Sequence, residues 1–254
     1  MIYLLLGGAS AYYGLSVGLG STTLLRPLLD AVSPLSPASV AMLCTMATLC
    51  AALVSAFFAI GEPFSLHQDE LLLLATGALL GGVLGDLAGA RFMAAVGRDQ
   101  VMLLQNALLF TIVALPTVYF SSLSRTLTPL ALTRLMALPV AFFVGLLGSF
   151  LAFGAEPLTL LLYFLLFDAE NDEAALAALT VSLFAMAGKL VTLLVRLRLT
   201  LPDAGALLWL LPGAIIGALL AVSPRLARGT QRGADALLKL SLFTTLLNIA
   251  AAIV

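Results

Sequence analysis

The chain has 254 residues, of which 62% are hydrophobic and only 10% charged, with a net charge of −1. A soluble domain of this length carries roughly a quarter charged residues, so the composition excludes one and reads as an all-α polytopic membrane protein. No Lys/Arg-rich run or basic tail is present, so nothing points to a nucleic-acid partner.

Hydropathy divides the chain into eight apolar blocks, at approximately 2–31, 38–60, 71–95, 101–120, 130–167, 174–195, 204–223 and 235–254. All but the first and fifth have the roughly twenty residues or slightly more of a single crossing. The opening MIYLLLGGASAYYG has no positive stretch before its apolar run, so it reads as a retained first span rather than a cleaved signal. That block then carries GLGSTTLLRPLL, Gly18 to Leu29, where plain hydrocarbon is expected. Glycine and proline loosen the helical ladder, which predicts a span that breaks and a half-helix starting near Ser21. The free N–H groups and positive dipole end of such a half-helix suit an anion at membrane depth, with Gly18, Gly20, Ser21, Thr22 and Thr23 around it. The alternative is a flexible, Gly-rich contact between helices. Arg26 stands four residues before Asp30, as an ion pair at a helix end or as a cation that holds an anionic substrate.

The second block contains Cys44 and Cys50, which six-residue spacing puts on different helix faces, and Thr45. Buried, unreactive thiols are expected. The single histidine, His67, falls in the acidic loop GEPFSLHQDE and reads as a solvated loop residue. In the third block Gly77, Gly81, Gly85 and Gly89 recur every fourth residue, a smooth stripe for close helix packing. Asp86 interrupts that block and needs Arg91 or a neighbouring helix as partner. The link SSLSRTLTP, from Ser121 to Pro129, lies at mid-chain and divides it into residues 1–122 and 123–254.

The fifth block is too long for one crossing and too short for two. It is interrupted at Gly154-Ala155-Glu156-Pro157, so it too reads as a helix followed by a half-helix. Glu156 either caps the half-helix that Pro157 opens or is a carboxyl group that carries a proton across with the substrate. Arg134, near the start of the block, can snorkel to the interface. In the sixth block, Thr180 and Ser182 match the hydroxyl residues of the second, and Lys189 is a substrate cation, a partner for Glu156 or a structural ion-pair member.

The two divisions repeat. Gly77-Ala78-Leu79-Leu80-Gly81 matches Gly213-Ala214-Ile215-Ile216-Gly217 at an offset of 136, and nearly the same offset relates the two breaks. Each half is therefore a broken, re-entrant-type helix plus three transmembrane helices. Orientation stays open. Arg91, Arg98, Arg225, Arg228 and Arg232 favour parallel halves, whereas Arg196 and Arg198 against a second-block loop without Lys or Arg favour inverted ones.

In this order of motifs the chain resembles the TauE/SafE-like sulfite-exporter (TSUP) family of membrane transporters. GLGSTTLLRPLL resembles the family's glycine-rich opening, with Ser21 and Thr22 for glycines; GAEPLTLLLYFLL resembles its second-half version, with Glu156 for a glycine; GALLGGVLG and LPGAIIGALLA fit its later pattern. The resemblance implies export or uptake of a small anion, sulfur-containing like sulfite or an organosulfonate, driven by a proton or ion gradient across the cell (inner) membrane. Read from the residues themselves, the substrate site comprises Gly18, Gly20, Ser21, Thr22, Thr23, Thr45, Gly154, Ala155, Glu156, Thr180 and Ser182, with Arg26, Glu156 and Lys189 as coupling or charge partners; Arg26 and Glu156 depart from the family pattern. No cofactor or metal is expected, and a homo-oligomer is left open. An intramembrane enzyme would need clustered catalytic groups, which one loop histidine and scattered acids do not supply. A non-transporting accessory subunit, docking through its glycine stripe, is the alternative.

Overall fold

The computed structural model describes residues 1–59, 66–96, 98–123, 129–130, 132–196, 204–222 and 231–253. The helices are α1 (Ile2–Ser16), α2 (Thr22–Val32), α3 (Pro37–Ala59), α4 (Gln68–Ala95), α5 (Arg98–Val118), α6 (Ala137–Leu151), α7 (Glu156–Phe167), α8 (Asn171–Val195), α9 (Ala204–Val222) and α10 (Gln231–Ile253). A π-helical turn, Tyr119–Leu123, ends α5 and a 3-10 turn, Arg134–Met136, opens α6. No strand occurs among the described residues. Among the described residues, seven helices are long and apolar enough to cross a membrane. Arg198, Arg225 and Arg228, used above for orientation, lie outside the described residues, as do the side chains of Arg98 and Arg232.

Both irregular blocks break where glycine and alanine adopt left-handed backbone. Gly18 and Gly20 have φ of 75° and 72°, and Ala152 and Ala155 have φ of 50° and 56°. The first block differs from one full span plus a half-helix. At 1.5 Å per residue, α1 is about 22 Å long and α2 shorter, against roughly 30 Å of hydrocarbon. The Tyr3 hydroxyl lies 3.2 Å from Ser33 Oγ, so α2 folds back beside α1 as a hairpin. The α6–α7 block folds back likewise, Leu130 N–H donating to Leu165 O at 2.8 Å and Leu132 N–H to Leu166 O at 2.6 Å.

Small residues set the helix directions. A methyl added to Gly77, Gly81 or Gly85 of α4 would lie 2.2–2.4 Å from the carbonyl oxygens of Leu138, Phe142 or Leu146, so α4 and α6 run in parallel, backbone on backbone. On α9, Gly213 and Gly217 meet Leu4 O and Gly8 O of α1 in the same way. Ser55 and Ala59 near the end of α3, Val222 at the end of α9 and Ala175 at the beginning of α8 line one cleft, so α3 and α9 run opposite to α8. The two hairpins therefore enter the bundle from opposite ends. Gly81→Ala is expected to destabilise the bundle by about 1–3 kcal/mol, because the added methyl meets rigid backbone and not a movable side chain. Its midpoint in thermal unfolding of the detergent-purified chain, compared with that of an outward-facing change such as Leu80→Ala, checks this.

Among the described residues, the two buried cations inside the bundle, Arg26 and Lys189, are paired. Arg26 Nε donates to Asp30 Oδ2 at 2.9 Å, and Lys189 Nζ lies 3.9 Å from Asp86 Oδ1, whose neighbouring oxygen accepts from Thr192 at 2.7 Å. Asp86 thus finds its partner on α8 and not in Arg91. Arg134 lies with its side chain 61% exposed, 4.0 Å from the buried Glu70.

Candidate functional site

The tips of the two hairpins touch. Gly154 N–H donates to Thr22 Oγ1 at 2.8 Å, which joins the second break to the first turn of α2. Beside that contact lies the Glu156 carboxyl, 5% exposed as a residue, with Oε1 accepting from Ser182 Oγ at 2.6 Å. Gly20 and Gly154 bound it on two sides: a methyl at Gly20 would lie 2.1 Å from Glu156 Cδ, and one at Gly154 2.2 Å from Oε2. Only glycine leaves room for the carboxyl to come so close to both backbones.

Both half-helices begin here without a side-chain cap, α2 after Ser21 and α7 after Ala155. Their first-turn N–H groups have no intrahelical acceptor, and their positive dipole ends converge on the carboxyl. Two buried polar atoms have no hydrogen-bond partner at this place, Ser21 Oγ and Glu156 Oε2. Ser21 and Glu156 both line a cleft of about 350 Å³ that runs from the breaks to the bundle end where α3 and α9 finish and α8 starts. Its other walls are small or apolar: Leu15, Gly18 and Gly20 from the first break, Thr48, Ala51, Ala52, Ser55 and Ala59 from α3, Ala175, Leu176 and Leu179 from α8, and Ala221 and Val222 from α9. Glu156 is the one ionisable side chain among these described residues.

The anticipated residues divide accordingly. Gly18, Gly20, Ser21 and Glu156 line the cleft, Thr22 and Gly154 form the joint behind it, and Ser182 holds the carboxyl. Thr23 donates back to Leu19 O while its own carbonyl accepts from Ser241 of α10, and Ala155 is buried in the core as the residue before α7. Thr45 donates to Ala41 O at 2.7 Å and is not among the cleft residues; Thr180 donates to Leu176 O and lines a different groove, with Gln68 and Phe184. Thr48 and Ser55 stand in the cleft instead, seven residues apart on one face of α3 with Ala52 and Ala59, an i, i+4, i+7, i+11 stripe visible in the sequence. Their hydroxyls donate to Cys44 O and Ala51 O, so they offer lone pairs to the cleft.

The cations lie elsewhere. At the end of α6, Lys189 Nζ donates to Ser149 O, Gln105 Nε2 to Phe150 O at 3.4 Å and Arg26 Nη1 to Leu151 O at 3.1 Å. Three helices thereby satisfy three successive terminal carbonyls that hydrocarbon cannot, and two positive charges face the negative dipole end. Arg26 and Lys189 do not reach into the cleft, and Lys189 pairs with Asp86 and not with Glu156.

Compared with family models, characterised proteins and solved structures, the chain gives no match.

Proposed function

We propose that this chain is a secondary transporter of a small anion, seated where the tips of its two hairpins meet. The observation that carries the reading is the Gly154–Thr22 hydrogen bond, which holds two uncapped half-helix N-termini together at the closed end of a cleft. Backbone N–H groups and the Ser21 hydroxyl would bind the anion, as helix N-termini do in water and more strongly where water is scarce. The two breaks, offset by nearly the same number of residues as the glycine motifs of α4 and α9, support two homologous halves of inverted orientation, each a hairpin plus three spans. Movement of one half against the other would then open the seat to either side of the cell membrane.

The resemblance to the TauE/SafE-like sulfite exporters supplies the substrate class: sulfite or an organosulfonate, with transport coupled to protons or another ion. Proteoliposomes containing the purified chain are expected to take up labelled sulfite or methanesulfonate, with the rate reduced at least tenfold in a Ser21→Ala/Thr22→Ala variant. Uptake of no small anion, or equal uptake by wild type and variant, would sink the reading.

A further inference from the structure

Glu156 occupies the place an anion would take. Its carboxyl is flanked by two glycine backbones, receives the Ser182 hydroxyl and stands before two helix N-termini, the donor set and close approach that recognise a free oxyanion. It is also tethered by a flexible side chain and keeps Oε2 unpartnered beside the cleft. A carboxylate and a substrate anion cannot share so small a space without strong like-charge repulsion.

We propose that the Glu156 carboxylate is a built-in competitor for the anion seat, and that a small anion enters only as that carboxylate is protonated and gives up its place. The inference rests on the anion-transport reading above and adds its coupling: a proton joins Glu156 Oε2 to give the neutral acid, the anion takes the vacated donors, and both leave together when the seat opens. Net charge at the seat is conserved, since one anion is neutralised as another arrives.

No other ionisable group on the surrounding elements is placed to do this. α3, α6 and α9 have no Asp, Glu, Lys or Arg. Arg26 and Asp30 of α2 bind each other, Lys189 of α8 binds Asp86 and the end of α6, and Tyr163 of α7 donates to Glu70. Tyr3 of α1 is bonded to Ser33, and Tyr12 and Tyr13 of α1, Cys44 and Cys50 of α3 and Asp172, Glu173 and Arg196 at the ends of α8 are not among the cleft residues.

Methanesulfonate is a suitable probe because its own charge does not change between acid and alkaline pH. For the full chain in detergent, its affinity is expected to weaken by up to about tenfold per pH unit above the titration of the carboxyl, the limit for one linked proton. Its addition to the weakly buffered protein at neutral pH should draw a proton from solution. In Glu156→Gln the affinity should be flat with pH and proton uptake absent. Anion binding without proton uptake by the wild type, or uptake that persists in Glu156→Gln, would overturn the inference and leave anion transport standing. The wild-type proton measurement decides alone if the variant does not fold. Failure of methanesulfonate, sulfite and nitrate to bind either wild type or Glu156→Gly at any pH would remove the transport reading itself.

Discussion

Methionine in place of Arg26 is expected to destabilise the fold by about 3–5 kcal/mol, with much of the loss recovered when Asp30 is also made asparagine. The two side chains are 4% and 8% exposed, and hydrocarbon around the bundle offers no substitute for a lost charge partner. The single change strands the Asp30 carboxylate, leaves Gln105 Oε1 without the Arg26 Nη2 donor at 3.2 Å, and uncaps Leu151 O at the end of α6. The double variant removes the stranded charge but not the uncapped carbonyl, so a residual cost of about 1–3 kcal/mol is expected. Unfolding of the single and double variants in a denaturing detergent series checks both values. A single variant within about 1 kcal/mol of wild type would show that Arg26 does not hold the end of α6.

The breaks are legible in the sequence because each is a local event: Gly18, Gly20 and Pro27, or Gly154 and Pro157, interrupt apolar runs that would otherwise be unbroken helix. The glycine stripe is legible for the same reason, since its four-residue period is written in one helix. The ion pair of Arg26 with Asp30 and the structural pairing of Lys189 are among the sequence readings and are found, but the part both cations play at the end of α6 is not legible. Each cation serves a carbonyl far away in sequence, at Leu151 and Ser149, and a charge pattern along one helix carries no sign of a helix end on another. Thr45 and Thr180 stand out in the sequence as hydroxyls of matching blocks, but which face of α3 or α8 meets the cleft is fixed by packing. Thr48 lies only three residues past Thr45 and faces the cleft, while Thr45 bonds its own helix.

The two breaks are not equivalent in charge, and the difference follows the helix dipoles. Positive side chains gather at the carboxyl end of α6, and the one carboxyl of the cleft sits at the amino ends of α2 and α7. Each charge thus lies at the dipole end that favours it. The cations already have carbonyls and carboxylates as partners, so binding of a substrate by them would first require breaking buried contacts. Glu156 has one unpartnered oxygen and lies on the cleft wall, so exchange there disturbs less.

Alanine at Gly20 is expected to weaken anion binding, whereas alanine at Gly18 should mainly lower stability. Both positions have positive φ, so both substitutions carry a backbone cost of about 1–2 kcal/mol. Space separates them. A methyl at Gly18 meets nothing within 4 Å, while one at Gly20 falls 2.1 Å from Glu156 Cδ and fills the seat between the breaks. Equilibrium binding of methanesulfonate at acid pH should therefore weaken by more than about tenfold in Gly20→Ala, or about 1.4 kcal/mol, and by much less in Gly18→Ala, with similar thermal midpoints for the two. Equal losses of binding would mean that backbone strain in the break, and not the space beside Glu156, controls access. Retained binding in Gly20→Ala would place the anion elsewhere along the cleft.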